Sequence, residues 1–125
     1  MTTNDPVRAR EVMSSPVETI HRNATLSEVA AKMRDENINA LIVTTSTPSI
    51  VTSTDVLDAV ARGEDTSELA VSDVMTESVE TIPPDIQLGE AAAMMTSLGI
   101  KHLPVVKQGD YVGMISSTDV AAQLS

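Results

Sequence analysis

A chain of 125 residues has room for one compact domain or two small repeats sharing a core, and 42% apolar with 21% charged residues is a globular composition. It holds no cysteine, which excludes disulfide frameworks, thiolate nucleophiles and Cys-ligated metals, and its two histidines, His21 and His102, leave little for a transition-metal site. A net charge of −10, from 18 acids and 8 bases, together with a single aromatic, Tyr111, argues against binding nucleic acid or an anionic membrane.

The longest apolar stretches, such as Ala91 to Met95, fall far short of the ~20 residues of a membrane span. Met1 to Pro6 lacks the basic start and apolar run of a secretory signal, so a cytoplasmic protein is expected. Only three of the bases are lysines (Lys32, Lys101, Lys107), and an acidic, lysine-poor surface suits work in high salt.

Residues 1–10 read as an N-terminal segment. Val17 to Ile20 is β-branched and predicts a strand. Thr25-Leu26-Ser27-Glu28 fits a capping box, with Leu26, Val29, Ala30 and Met33 at helical spacing behind it. Strands follow at Ala40 to Thr44 and Ser49 to Thr52, then a helix from Ser53 through Val56, Leu57 and Val60. Arg62-Gly63 ends that helix with a cation and a glycine suited to the left-handed conformation. The first repeat is thus 11–63, and the acidic stretch 64–72 reads as a linker.

The second repeat, 73–125, follows the same plan. Val17-Glu18-Thr19-Ile20 recurs as Val79-Glu80-Thr81-Ile82, an offset of 62. The same offset matches Val12-Met13 with Val74-Met75, Leu26 with Leu88, Ala30-Ala31 with Ala92-Ala93, and Met33 with Met95. Ser53-Thr54-Asp55-Val56 returns as Ser117-Thr118-Asp119-Val120 at an offset of 64, so two residues are inserted near Lys107-Gln108-Gly109-Asp110, a hairpin turn. Pro83-Pro84 closes the first strand, Val79 to Ile82. A helix from Gly89 to Leu98, strands His102 to Val106 and Tyr111 to Ser116, and a helix from Ser117 to Leu124 complete it. Each copy reads β-α-β-β-α, an α+β class.

Where the first copy has Lys32 and Glu36, the second has Met94 and Leu98 on one helix face. That face predicts either packing against the linker or N-terminal segment, or a homodimer interface.

Val74-Met75-Thr76, Gly99-Ile100-Lys101-His102-Leu103-Pro104-Val105-Val106 and Val112-Gly113-Met114-Ile115-Ser116-Ser117-Thr118-Asp119 resemble the cystathionine-β-synthase (CBS) domain, here as a tandem pair over residues 11 to 125. The resemblance implies two repeats packed through their sheets with pseudo-twofold symmetry. It further implies a non-catalytic module binding AMP, ADP, ATP or S-adenosylmethionine in the inter-repeat clefts, and regulating a separate effector protein, with no cofactor required. Its ligand-binding positions fall on Ser78, Val79, Ile100, Lys101, His102, Pro104, Ser116, Thr118 and Asp119, and more weakly on Pro16, Ile38, Ala40, Thr52 and Asp55.

The chemistry of these residues suits that use. A carboxylate at Asp119 can accept from both ribose hydroxyls, and Ser116 can donate to a phosphate at the helix start. Gly99 and Gly113 would let the backbone approach a ligand, Ile100 and Pro104 would offer apolar surface to a purine, and Lys101 and His102 would supply positive charge. Yet Ser116-Ser117-Thr118-Asp119 and Thr52-Ser53-Thr54-Asp55 are also plain helix caps. In the first repeat Asn37, Asn39, Ala40, Ile42 and Ser49 stand for Gly99, Lys101, His102, Pro104 and Gly113, so two unequal clefts are expected. The alternative is a structural dimerisation module whose clefts are degenerate. No nucleophile–base pair points to an enzyme.

Overall fold

The computed structural model describes residues 6–124; the first five residues of the expected N-terminal segment and Ser125 lie outside the described residues. In chain order the elements are α1 (Ala9–Val12), β1 (Thr19–His21), α2 (Leu26–Glu36), β2 (Ala40–Thr44), β3 (Ser49–Thr52) and α3 (Ser53–Ala61). A 3-10 turn (Val71–Asp73), α4 (Leu88–Leu98), β4 (His102–Lys107), β5 (Asp110–Ser116) and α5 (Ser117–Leu124) follow. The α+β class holds.

The chain divides into two compact units whose borders cut across the duplication. One is continuous, Glu18–Val79; the other joins the N-terminal segment through Val17 to the chain from Glu80 onward. Each repeat therefore carries the leader of the other copy. Beside β3, Ile50 and Thr76 exchange two hydrogen bonds, 3.0 and 2.9 Å, and Met114 and Ser14 do the same beside β5, 3.0 and 2.9 Å. The stretch read as a linker is bound to the first repeat: Val71 N–H donates to Ala24 O (2.8 Å) and Leu26 N–H to Leu69 O (3.0 Å). At the same offset of 62, Ala9 N–H donates to Ile86 O (2.9 Å) and Leu88 N–H to Val7 O (2.8 Å). Val71 and Ala9, equivalent by that offset, are both fully buried.

Each unit has its own core. In the continuous unit Leu26, Val29, Met33, Leu41, Val43 and Val51 pack together. The other unit uses the equivalent positions Leu88, Ala91, Met95, Leu103, Val105 and Ile115. Full burial of such side chains is worth about 1.5–3 kcal/mol each.

The sheets differ for a covalent reason. In the continuous unit β1 runs parallel to β2, and β2 antiparallel to β3, with Ala40 opposite Thr52. In the other unit β4 and β5 form an antiparallel pair, and the predicted strand Val79 to Ile82 shrinks to one parallel bridge between Ile82 and Val105. In the first repeat Ile42 N–H donates to Glu18 O (3.1 Å). Pro104 occupies the equivalent position and has no N–H for Glu80, while Pro84 has none to carry the ladder further. His21, one residue beyond the predicted strand Val17 to Ile20, ends β1.

The inserted turn is a two-residue hairpin with Gln108 and Gly109 at φ 52° and 84°, the pairing that suits twisted strands. Met94 is half-buried against its unit's core, whereas Leu98 is 51% exposed.

Candidate functional site

The hairpin geometry of each repeat brings the start of one strand beside the end of the next, where a helix begins. In the second repeat His102 lies opposite Ser116 across β4 and β5. Ser117 N–H donates to Lys101 O (2.9 Å), fixing the first turn of α5 against the entry to β4. Lys101, His102, Ser116, Thr118 and Asp119 thus gather at one end of the ribbon. In the first repeat Ala40 lies opposite Thr52, and Ser53 N–H donates to Asn39 O (2.9 Å), so the same corner holds Asn39, Ala40, Thr52 and Asp55.

Both carboxylates are capping groups. Asp119 Oδ2 accepts from Ser116 N–H (2.8 Å), and Ser116 Oγ accepts from Asp119 N–H (3.2 Å), the full reciprocal box. Asp55 Oδ2 accepts from Thr52 N–H (2.8 Å) and from the Thr52 hydroxyl (3.3 Å). Asp119 is therefore tied to main chain through one oxygen; among the described residues no hydrogen bond reaches its Oδ1. Each sits in the first turn of its helix, where the helix dipole favours negative charge. No buried side-chain nitrogen or oxygen among the described residues lacks a partner.

The local field differs from the sequence expectation. Burial pushes the His102 imidazole below its ordinary value, with Lys101 pushing the same way and Asp119 opposing. Burial thus disfavours the charged form of His102, and Lys101, exposed, lies next to it in the chain.

The two glycines have structural uses. Gly99 caps α4 in the left-handed region at φ 65°, as Asn37 caps α2 at φ 55°. A Cβ on Gly99 would meet nothing within 4 Å, so backbone conformation alone selects it. Gly113 makes room for Met13: a Cβ there would lie 2.7 Å from Met13 Cγ and 3.0 Å from its Cβ.

The other expected site residues fall on both units. Pro104 is fully buried within β4. Ile100 packs against the core of its unit and Ile38 against that of the other. Ser78, at φ 54°, and Val79, whose N–H donates to Pro48 O (2.9 Å), belong to the continuous unit. Pro16, exposed after a cis Ser15–Pro16 bond, belongs to the other. Sequence reasoning passed over the Lys101 and Asn39 carbonyls that anchor α5 and α3, because a main-chain acceptor leaves no signature in side-chain pattern.

The family model for the CBS domain matches the chain twice, over residues 9–62 and 71–125. The chain belongs to the CBS-domain family. It is 30% identical over 115 residues to the CBS domain-containing protein YhcV of Bacillus subtilis, covering 90% of this chain and 81% of that one. It spans 61% to 81% of the length of the first curated relatives it matches. Among solved structures it resembles a hexameric CBS-CP12 protein from bloom-forming cyanobacteria, at TM-score 0.92 and 25% identity over 97% of this chain and 74% of that one. It also resembles the CBS domain pair of protein MJ0100, solved with 5-methylthioadenosine and S-adenosyl-L-methionine, at TM-score 0.85 and 27% identity over 96% of this chain and 97% of that one. No helix among the described residues is long and apolar enough to cross a membrane, and no group of His, Asp or Glu there could hold a metal ion.

Proposed function

We propose that this CBS pair is a regulatory module: it binds an adenosine-type ligand at the α5 corner of the second repeat and passes that state to a separate effector. The observation that carries this is the likeness to the MJ0100 domain pair, whose structure holds two adenosine compounds. The corner supports it chemically. Asp119 keeps Oδ1 for a ribose hydroxyl while Oδ2 serves the helix cap, and Lys101, whose carbonyl accepts from Ser117 N–H, adjoins the start of α5. The first repeat has Asn39 and Ala40 in place of Lys101 and His102, which makes it the weaker site for anything phosphorylated. The module self-associates, as the hexameric relative does.

One observation favours the alternative of a structural module with degenerate clefts: the capping contacts of Asp119 and Asp55 are complete without any ligand. Calorimetry separates the two. S-adenosylmethionine, methylthioadenosine, AMP, ADP and ATP are titrated into the natural protein and into Asp119→Asn and Asp55→Asn. The asparagine oxygen still accepts from the capping N–H, so the fold is kept while the charge goes. Binding that falls about tenfold or more at Asp119→Asn, and less at Asp55→Asn, is expected; one tenfold step is about 1.4 kcal/mol. Silence from every adenosine compound removes the sensor reading and leaves the scaffold.

A further inference from the structure

The two corners differ at one titratable side chain. In the second repeat His102 is half-buried at the start of β4, across the ribbon from Ser116 and within the field of Asp119 on α5. At the equivalent place in the first repeat Ala40 lies opposite Thr52 and has no proton to gain. Both corners keep an aspartate in the first helical turn, Asp119 and Asp55. A proton on His102 therefore changes the charge of one corner and leaves the other as it was.

Few other charges bear on His102. Lys101 precedes it in the chain, and α5 brings Asp119. β5 faces it with the uncharged Ser116; Asp110 and Tyr111 lie at the far end of that strand, opposite Lys107 and Val106. α4 carries only Glu90, in its first turn, at the other end of the helix from Gly99. The leader beside β5 sets Ser14 against Met114. The local balance is thus one lysine, one carboxylate and one imidazole.

We infer that a proton on His102 selects the ligand: the protonated corner takes an adenosine compound with a phosphate on its 5′ carbon, and the unprotonated corner takes one whose 5′ group is uncharged or cationic. This rests on the reading that the corner binds an adenosine-type ligand, and adds what decides among such ligands. A ribose held at Asp119 Oδ1 carries its 5′ carbon on the same ring, so the 5′ substituent shares the corner with His102 and Ser116. A phosphate monoester brings a charge of about −1.5 to −2 there. Beside an imidazolium, that charge offsets the burial that disfavours the proton. Beside a neutral imidazole, Lys101 alone attracts it, in a chain of net charge −10. A sulfonium reverses the sign, because an imidazolium repels it and Asp119 attracts it. By reciprocity, the factor by which the proton favours the phosphate is the factor by which the phosphate favours the proton.

Three probes set these charges on one nucleoside: 5′-methylthioadenosine has none at the 5′ carbon, S-adenosylmethionine has a sulfonium and AMP a phosphate. Calorimetry from about pH 7.5 to about pH 5.5 spans the range in which a histidine titrates. It is run on the natural protein, His102→Gln and His102→Ala, the last repeating what Ala40 supplies in the first repeat, with thermal melts verifying each fold. In the natural protein the affinity for AMP relative to methylthioadenosine should rise about threefold or more across the range, one proton allowing at most about tenfold per pH unit. The relative affinity for S-adenosylmethionine should fall. In the variants both ratios should change little more than the probes' own ionisations dictate, and those act equally in all three proteins. A ratio that stays level in the natural protein, or follows the same course in the variants, overturns the selection. Absence of binding by all three probes at every pH overturns instead the ligand reading on which it rests.

Discussion

Replacing Gly113 by alanine tests how tightly the exchanged leader is seated. The added Cβ would stand 2.7 Å from Met13 Cγ and 3.0 Å from Met13 Cβ, well inside ordinary contact. Met13 must then leave its place against the core of its unit. Overpacking of this kind costs about 1–3 kcal/mol, offset by about 0.4–1 kcal/mol because alanine restricts the unfolded chain more than glycine. A net loss of about 1–2 kcal/mol is expected, a fall in Tm of roughly 3–8 °C for a chain of this size. The decisive measurement is a double-mutant cycle. In Met13→Ala the space is already vacated, so Gly113→Ala in that background should be neutral or stabilising, giving a coupling of about 1 kcal/mol or more. Chemical denaturation of the four proteins reads this directly. Strictly additive changes would mean that Met13 does not rest on Gly113, and the packing argument fails.

Gly99→Val should cost about 1–2 kcal/mol, because a β-branched residue resists φ 65° although the space around the position is open; Gly99→Asn should cost much less, as Asn37 shows. Removing a cap by Asp119→Ala should cost about 0.5–2 kcal/mol in thermal melts, with Asp119→Asn retaining most of it. Acid should destabilise the fold through His102: its folded value lies below 6.5, chiefly because it is buried, so the unfolded chain takes up the proton first. That contribution to stability is complete above 6.5 and declines below it, and Tm measured down to about pH 5.5 should fall less steeply for His102→Gln. Molar KCl should raise Tm by screening the net −10; a Tm that falls from low to molar salt would remove the expectation of a salt-adapted surface.

Much of the fold was legible because the duplication reports the same structure twice. Identical letters at an offset of 62, then 64, placed both hairpins, both long helices and their buried faces. Beyond the match of Val12-Met13 with Val74-Met75, the leaders were not legible: Val7, Ala9 and Arg10 share only rough size or polarity with Leu69, Val71 and Ser72, and their equivalence lies in main-chain hydrogen bonds. The shortened strand of the second repeat was readable in principle, since Pro104 in one strand and Pro84 in its neighbour each withhold a donor. At the candidate corner, burial bears on the state of the residues. It disfavours the charged form of His102 and encloses Pro104, and neither effect is visible in a linear pattern.

The out-of-phase units set an order for synthesis. Residues 18–79 are made as an uninterrupted stretch, and every segment of that unit exists before the chain from Glu80 onward is translated. The segment around Ala9 is made before that unit, yet its hydrogen-bond partners at Ile86 and Met114 are made after it, so it waits through the whole of that unit's synthesis for a place to lie. A segment made before the continuous unit is seated only after it, and a chain halted near position 80 would carry one finished unit and one stranded arm.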